Sequence, residues 1–260
     1  MTDLASAARA HTGVAANVER ARGRIARAAQ RSGRGAEAVR LVAVSKTVSP
    51  SRVLEAIAAG VADVGENKVQ EALAKRDAIG EAAGGVAWHL IGHLQTNKAG
   101  RAAGGAFATV HSVDSDRVAQ ALDSRRPEEL DPLDVLLEVE LTGLPGRTGV
   151  RPEGLDALAE LVSGGLPHLR LAGLMTMAPP PDGTGPNALD AARRAFARLR
   201  TLRDELEPRI GARLPELSMG MSGDFEVAVE EGSTIVRLGS ALFGERPPRE
   251  RRTGGGAHDA

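Results

Sequence analysis

Eight short apolar or β-branched runs, each followed by a stretch with helical periodicity, constrain the fold of this chain more than any other feature. The runs fall at residues 41–45, 61–65, 86–92, 107–112, 135–141, 169–176, 214–220 and 234–239. After the first, Ser49-Pro50 offers an N-cap and a first-turn proline, Val53, Leu54 and Ile57 share a face, and Gly60 is the stop. Leu155, Leu158, Ala159 and Val162 form another stripe ahead of Gly164-Gly165. The longest stripe is Leu189, Ala192, Phe196, Leu199, Leu202 and Leu206, expected to end before Pro208, and Phe225, Val227 and Ala228 make a short one closed at Gly232. Strand followed by helix, repeated, calls for parallel strands joined by helical crossovers. Eight such units between residues 41 and 246 predict a single closed (β/α)8 TIM barrel. An open doubly wound sheet would carry a glycine-rich turn after its first strand, and Ser45-Lys46-Thr47-Val48 is not one.

The flanks read differently. Val14, Val18, Ala21, Ile25 and Ala28 recur at helical spacing before Ser32-Gly33-Arg34-Gly35, so residues 1–35 are expected to add an N-terminal helix to a domain spanning 1–246. The stretch 247–260, with its arginines and Gly254-Gly255-Gly256, is expected to be a disordered tail, and the proline- and glycine-rich loop 179–186 to move.

Composition removes several classes of function. Lys plus Arg number 33 against 34 Asp plus Glu, and the signs are interspersed, so neither nucleic acid nor an anionic membrane is an expected partner. No apolar run is long enough to span a bilayer and no secretory signal is visible, which fits a cytoplasmic protein. With no cysteine, thiolate catalysis and Cys-based metal sites are excluded; with no tyrosine, so is every mechanism that uses a phenol as acid or base. No self-association stripe stands out, so a monomer is expected.

Lys46 ends the first run. A lysine whose stem leaves a buried strand and whose amine opens into a cleft is partly desolvated, which disfavours the ammonium and leaves a nucleophilic amine ready to condense with an aldehyde. Two turns at the other end of the chain, Ser218-Met219-Gly220-Met221-Ser222-Gly223-Asp224 and Arg237-Leu238-Gly239-Ser240, have the make-up of a phosphate cradle. Gly223 and Gly239 let backbone approach an anion, and the Ser222 and Ser240 hydroxyls add donors. These turns end the seventh and eighth strands, and strand one neighbours strand eight when a barrel closes, so all three features converge on one rim. An activated lysine facing a phosphate cradle points to pyridoxal phosphate. Arg237, inside an apolar strand, would set a permanent cation beside the ring nitrogen and weaken the ring as an electron sink. Asn67 after strand two, Met175 at the end of strand six and Ser218 are the further candidate contacts. His89 and His93 lie across a strand end with no carboxylate expected nearby, so no metal site is expected.

These residues carry a family resemblance. Val42-Ala43-Val44-Ser45-Lys46-Thr47, Gly65-Glu66-Asn67 with Val69-Gln70-Glu71, Trp88-His89-Leu90-Ile91-Gly92 through Gln95-Thr96-Asn97-Lys98, His111-Ser112-Val113-Asp114 and Gly173-Leu174-Met175-Thr176-Met177 resemble the pyridoxal phosphate homeostasis proteins of the YggS/PROSC type. So do residues 217–224 and 235–244. The resemblance implies a barrel similar to the N-terminal domain of alanine racemase and a covalent imine between pyridoxal 5'-phosphate and Lys46. It also implies phosphate contacts from Ser222, Gly223, Gly239 and Ser240, and Arg237 beside the ring nitrogen. The function it implies is non-catalytic: buffering the cofactor or delivering it to apo-enzymes. Members commonly carry a second lysine where this chain has Val48, and a lysine where it has Arg147, so any accessory lysine route is altered here. The alternative is a racemase-like pyridoxal phosphate enzyme.

Overall fold

The computed structural model describes residues 13–181 and 187–244. Residues 1–12, residues 182–186 of the loop expected to move, and 245–260, which include the expected tail, lie outside the described residues. Strands β1 (Arg40–Val44), β2 (Asp63–Glu66), β3 (Ala87–Leu90), β4 (Thr109–Val113), β5 (Leu133–Glu138), β6 (Leu169–Met175), β7 (Glu216–Ser218) and β8 (Ile235–Leu238) pair in parallel and close into one barrel, β8 returning to β1. The helices are α1 (Val14–Arg31), α2 (Pro50–Ala58), α3 (Val69–Ile79), α4 (Ala99–Ala103), α5 (Asp116–Asp123), α6 (Pro152–Gly165), α7 (Asp190–Ile210), α8 (Phe225–Glu230) and α9 (Ser240–Phe243). The main core lies between sheet and helices, while a small apolar layer of Val42, Leu136, Met175 and Ile235 fills part of the barrel interior. Because both faces of each strand are covered, the strands read as continuous apolar runs rather than alternating ones.

Local expectations were displaced in three places. The run at 214–220 yields a strand of only three residues, since Pro215 lacks an N–H and Gly220 turns at a φ of 95°. Helix α7 passes through Pro208 and ends at Gly211, whose φ of 67° makes the left-handed cap. A proline in a last turn removes few bonds, so the pattern broke before the helix did. At α2, Ser49 holds the N-cap position without a side-chain cap bond, its hydroxyl sitting 3.0 Å from that of Ser51.

Helix α1 buries the expected stripe of Val14, Val18, Ala21, Ile25 and Ala28. It packs on α8 and α9, which follow strands seven and eight. Arg24 pairs with Glu226 and stacks over Phe225, and the Asn17 amide donates to the Leu242 carbonyl at 2.8 Å. The extra helix thus braces the two turns expected to bind phosphate.

Candidate cofactor site

At the C-terminal ends of β1 and β2, Val44 pairs with Gly65, so Lys46 and Asn67 leave adjacent strands side by side. Lys46 is half-buried, in the turn that follows β1. The turn is held from behind by a polar network between sheet and α3. Ser45 donates its hydroxyl to Glu66 Oε1 at 2.6 Å, and Lys75 Nζ donates to the Ser45 carbonyl at 2.6 Å, to Glu66 Oε1 and to Glu71 Oε1 at 3.3 Å. Glu71 Oε1 also accepts the Thr47 N–H at 2.5 Å. Thr47 needs that support, because it is the only described non-glycine residue with positive φ, at 63°. Burial raises the Glu66 carboxyl pKa, opposed by its bonds to Lys75 and Ser45. Lys75, which the sequence places simply on a helix, is therefore the residue that ties down the Lys46 turn. The Glu71–Lys75 spacing on α3 was the one available signal for it.

The two glycine turns meet at the C-terminal end of β1. A Cβ built on Gly239 would lie 3.6 Å from that of Val44, and Ser222 Oγ accepts from the Gly239 and Ala241 N–H groups at 3.3 and 3.1 Å. The donors expected to face an anion are thus gathered around a single hydroxyl oxygen. Neither Gly223 nor Gly239 has a positive φ, and an added Cβ would meet nothing within 4 Å at Gly223 and only ordinary contacts at Gly239. Packing and backbone conformation do not require glycine at either position. Close approach of a bound group to the backbone would, and in that respect the residues present fit a phosphate-bearing cofactor. Gly220 is the contrast: its φ is 95° and a Cβ would come within 2.6 Å of Ala228, so that glycine serves the fold.

Below this rim, Arg237 is buried and donates from Nη1 to Ser218 Oγ at 2.7 Å and from Nη2 to the Thr176 carbonyl at 2.9 Å. Burial pushes its pKa down to about 10, opposed by Asp224 and Glu138, so it stays cationic at neutral pH. Those two carboxyls are themselves raised by burial. Glu138 accepts from the Thr148 hydroxyl at 2.8 Å, and Met175 pairs in register with both Glu138 and Ser218. Glu138 did not stand out in the sequence, where it is one of two glutamates inside the run 135–141. Asn67 lines a cleft of about 530 Å³ with Lys68, His93, Gln95 and Lys98, and neither Lys46 nor the glycine turns line it.

One expectation is corrected outright. His89 and His93 both have carboxylate neighbours: His89 Nε2 lies 2.9 Å from Asp63 Oδ1, and His93 Nδ1 3.1 Å from Asp114 Oδ2. Strand pairing supplies these partners from positions more than twenty residues away in each case, which spacing within one segment could not show. Among the described residues, no three His, Cys, Asp or Glu side chains come together as a metal site.

A closed parallel barrel with a lysine after strand one and glycine-serine turns after strands seven and eight is an architecture shared with proteins that this chain matches along most of its length. A family model described as the alanine racemase N-terminal domain matches residues 16–247. The pyridoxal phosphate homeostasis protein of Pseudomonas aeruginosa is 46% identical over 233 residues, which is 90% of this chain and 96% of that one. Its counterpart in Escherichia coli K12 is 40% identical over 237 residues, 90% and 97% of the two chains. PipY of Synechococcus elongatus, solved with pyridoxal phosphate bound, superposes with a TM-score of 0.72 at 40% identity, covering 80% of this chain and 93% of PipY. Alanine racemase from Corynebacterium glutamicum, at 22% identity and a TM-score of 0.66, shares the fold, with 93% of this chain covering 64% of the racemase. This chain belongs to the pyridoxal phosphate homeostasis protein family.

Proposed function

We propose that this protein binds pyridoxal 5'-phosphate through a Schiff base to Lys46 and buffers or delivers it to apo-enzymes, as a monomer in the cytoplasm and without catalytic turnover of its own. The observation that carries the reading is the convergence, at the end of the strand that Lys46 follows, of two glycines that the fold itself does not need. The names of the relatives and the cofactor bound to PipY support it. When bound, the cofactor supplies an aldehyde that condenses reversibly with an amine. The chain's own groups do the rest. The Ser222-Gly223 and Gly239-Ser240 turns offer N–H and hydroxyl donors to the phosphate. Asn67, Met175 and Ser218 would be the further residues that hold the cofactor. Arg237, cationic and donor-only, would stand beside the ring nitrogen and disfavour a proton there.

Two features support the absence of turnover. A two-base racemase needs an acid or base on each face of the substrate carbon, and this chain has no tyrosine or cysteine to serve as the second. A ring nitrogen kept unprotonated also stabilises a carbanion poorly. Among the described residues no helix is long and apolar enough to cross a membrane.

Borohydride reduction of cofactor-loaded protein, followed by peptide mapping, should place the label on Lys46, and Lys46→Ala should carry none. Labelling chiefly at another lysine would refute the assignment. Incubation with L-alanine in deuterated water should give no sustained exchange at the α-carbon; exchange with inversion that is lost in Lys46→Ala would establish the racemase-like alternative.

A further inference from the structure

The barrel interior holds a line of hydrogen bonds that the cofactor chemistry does not use. Arg237 Nη1 donates to Ser218 Oγ at 2.7 Å; Ser218 Oγ lies 2.9 Å from His111 Nδ1; His111 Nε2 lies 2.9 Å from His89 Nδ1; and His89 Nε2 lies 2.9 Å from Asp63 Oδ1. The line enters at β8, crosses the barrel from β7 to β4, and leaves through β3 to β2. His89, His111, Ser218 and Arg237 are all buried, and the Asp63 side chain is 15% exposed at the opposite mouth, with Arg40 Nε 3.9 Å away.

Its two ends set its direction. A guanidinium can only donate and a carboxylate can only accept. Starting at Asp63, His89 must carry its proton on Nε2, which makes Nδ1 an acceptor for His111 Nε2–H. His111 Nδ1 then accepts the Ser218 O–H, and the Ser218 oxygen is left to accept from Arg237. In this arrangement every hydrogen in the line has an acceptor and both imidazoles are neutral. If His89 were an imidazolium the direction would reverse as far as Ser218, whose hydroxyl hydrogen would then have no acceptor in the line, and a buried orphan of that kind is costly. Burial, His89 and Arg237 also hold the His111 pKa well below the ordinary histidine value, in keeping with a neutral ring.

We infer that Asp63, His89, His111 and Ser218 form a one-way hydrogen-bond line that positions Arg237, so that the group facing the cofactor ring nitrogen is oriented from the far mouth of the barrel. They are positioning residues; Asp63, His89 and His111 act on the cofactor only through Arg237. The assignment rests on the proposed cofactor site for its consequence, though not for its geometry.

The test has two arms. In cofactor-free protein, nitrogen-15 NMR of the imidazoles should show both rings neutral with the proton on Nε2; an imidazolium at His89, or an Nδ1–H tautomer at either ring, would overturn the line itself. In cofactor-loaded protein, Asp63→Ala should shift the visible absorption band of the bound cofactor and weaken its affinity roughly three- to tenfold, the worth of one hydrogen bond. Asp63→Asn, which keeps an acceptor oxygen, should restore both, and Arg170→Ala at the same mouth should change neither. A band and affinity in Asp63→Ala equal to those of the unaltered protein would overturn the positioning role. Should Asp63→Ala not fold, His111→Leu cuts the line between His89 and Ser218 and should give the same band shift. Failure of the unaltered protein to take up pyridoxal phosphate would refute the cofactor site instead, and the NMR arm would still judge the line.

Discussion

The two mouths of the barrel differ in how their charges are arranged. At the N-terminal mouth a cavity of about 580 Å³ is lined by Arg40, Asp134, Arg170, Arg213 and Glu216. Its ions neutralise one another: Arg170 grips Asp134 with two bonds, and Arg40 reaches Glu216 at 3.2 Å. At the C-terminal mouth the charges are buried and unequal in role. Lys75 ties down a turn, Arg237 holds Ser218 and the Thr176 carbonyl from within the barrel, and glycines stand where the fold would accept side chains. A large cavity lined by mutually satisfied ions is a structural seam, whereas backbone donors gathered around one hydroxyl at the end of β1 are what the proposed cofactor site rests on.

The sharpest way to break this contrast is to remove a charge from each mouth. Lys75→Met leaves Glu66 buried without its partner and should cost about 3–5 kcal/mol of stability in denaturant titrations. The double change with Glu66→Met should recover part of that, and no recovery would mean that the pair does more than neutralise itself. Next in size is the cradle. Gly239→Val or Gly223→Val should fold normally yet lose roughly 1.5–3 kcal/mol of pyridoxal phosphate affinity for each charge-assisted bond displaced, measured by equilibrium titration. Unchanged affinity in both variants would move the phosphate elsewhere.

Acid should discriminate more gently. Because the folded His111 pKa lies well below the ordinary 6.5, only the unfolded chain takes up this proton just below that value. The contribution of this ring is complete above about pH 6.5 and is lost on acidification toward the folded pKa, at no more than about 1.4 kcal/mol per pH unit. The raised carboxyls Glu66, Glu138 and Asp224 act in the opposite sense, their stabilisation being lost as pH rises through their folded values. Comparing the unaltered protein with His111→Gln at pH 7.5 and 5.5 isolates the histidine: the variant should lose less stability on acidification. The smallest effect belongs to the N-terminal mouth, where Arg170, with its side chain 68% exposed, should cost under about 1 kcal/mol when changed to Ala.

Strand count, parallel pairing, the N-terminal helix and the positions of Lys46, Arg237 and the glycine turns were determined by the sequence alone. Each is a local signal: a period, a turn residue, or a charge inside an apolar run. Barrel closure then carried Lys46 to the β8 turn without further information, because the last strand of a closed sheet must neighbour the first. What only the tertiary structure decided lies across the barrel or behind a strand. Nothing in the spacing of His111 and Ser218, 107 residues apart, announces a bond through the interior. Nor does the spacing of Lys75 reveal that its amine reaches back to the Ser45 carbonyl, thirty residues earlier. Such contacts depend on strand register and on which face of a helix meets the sheet, and both are set by packing the whole core at once.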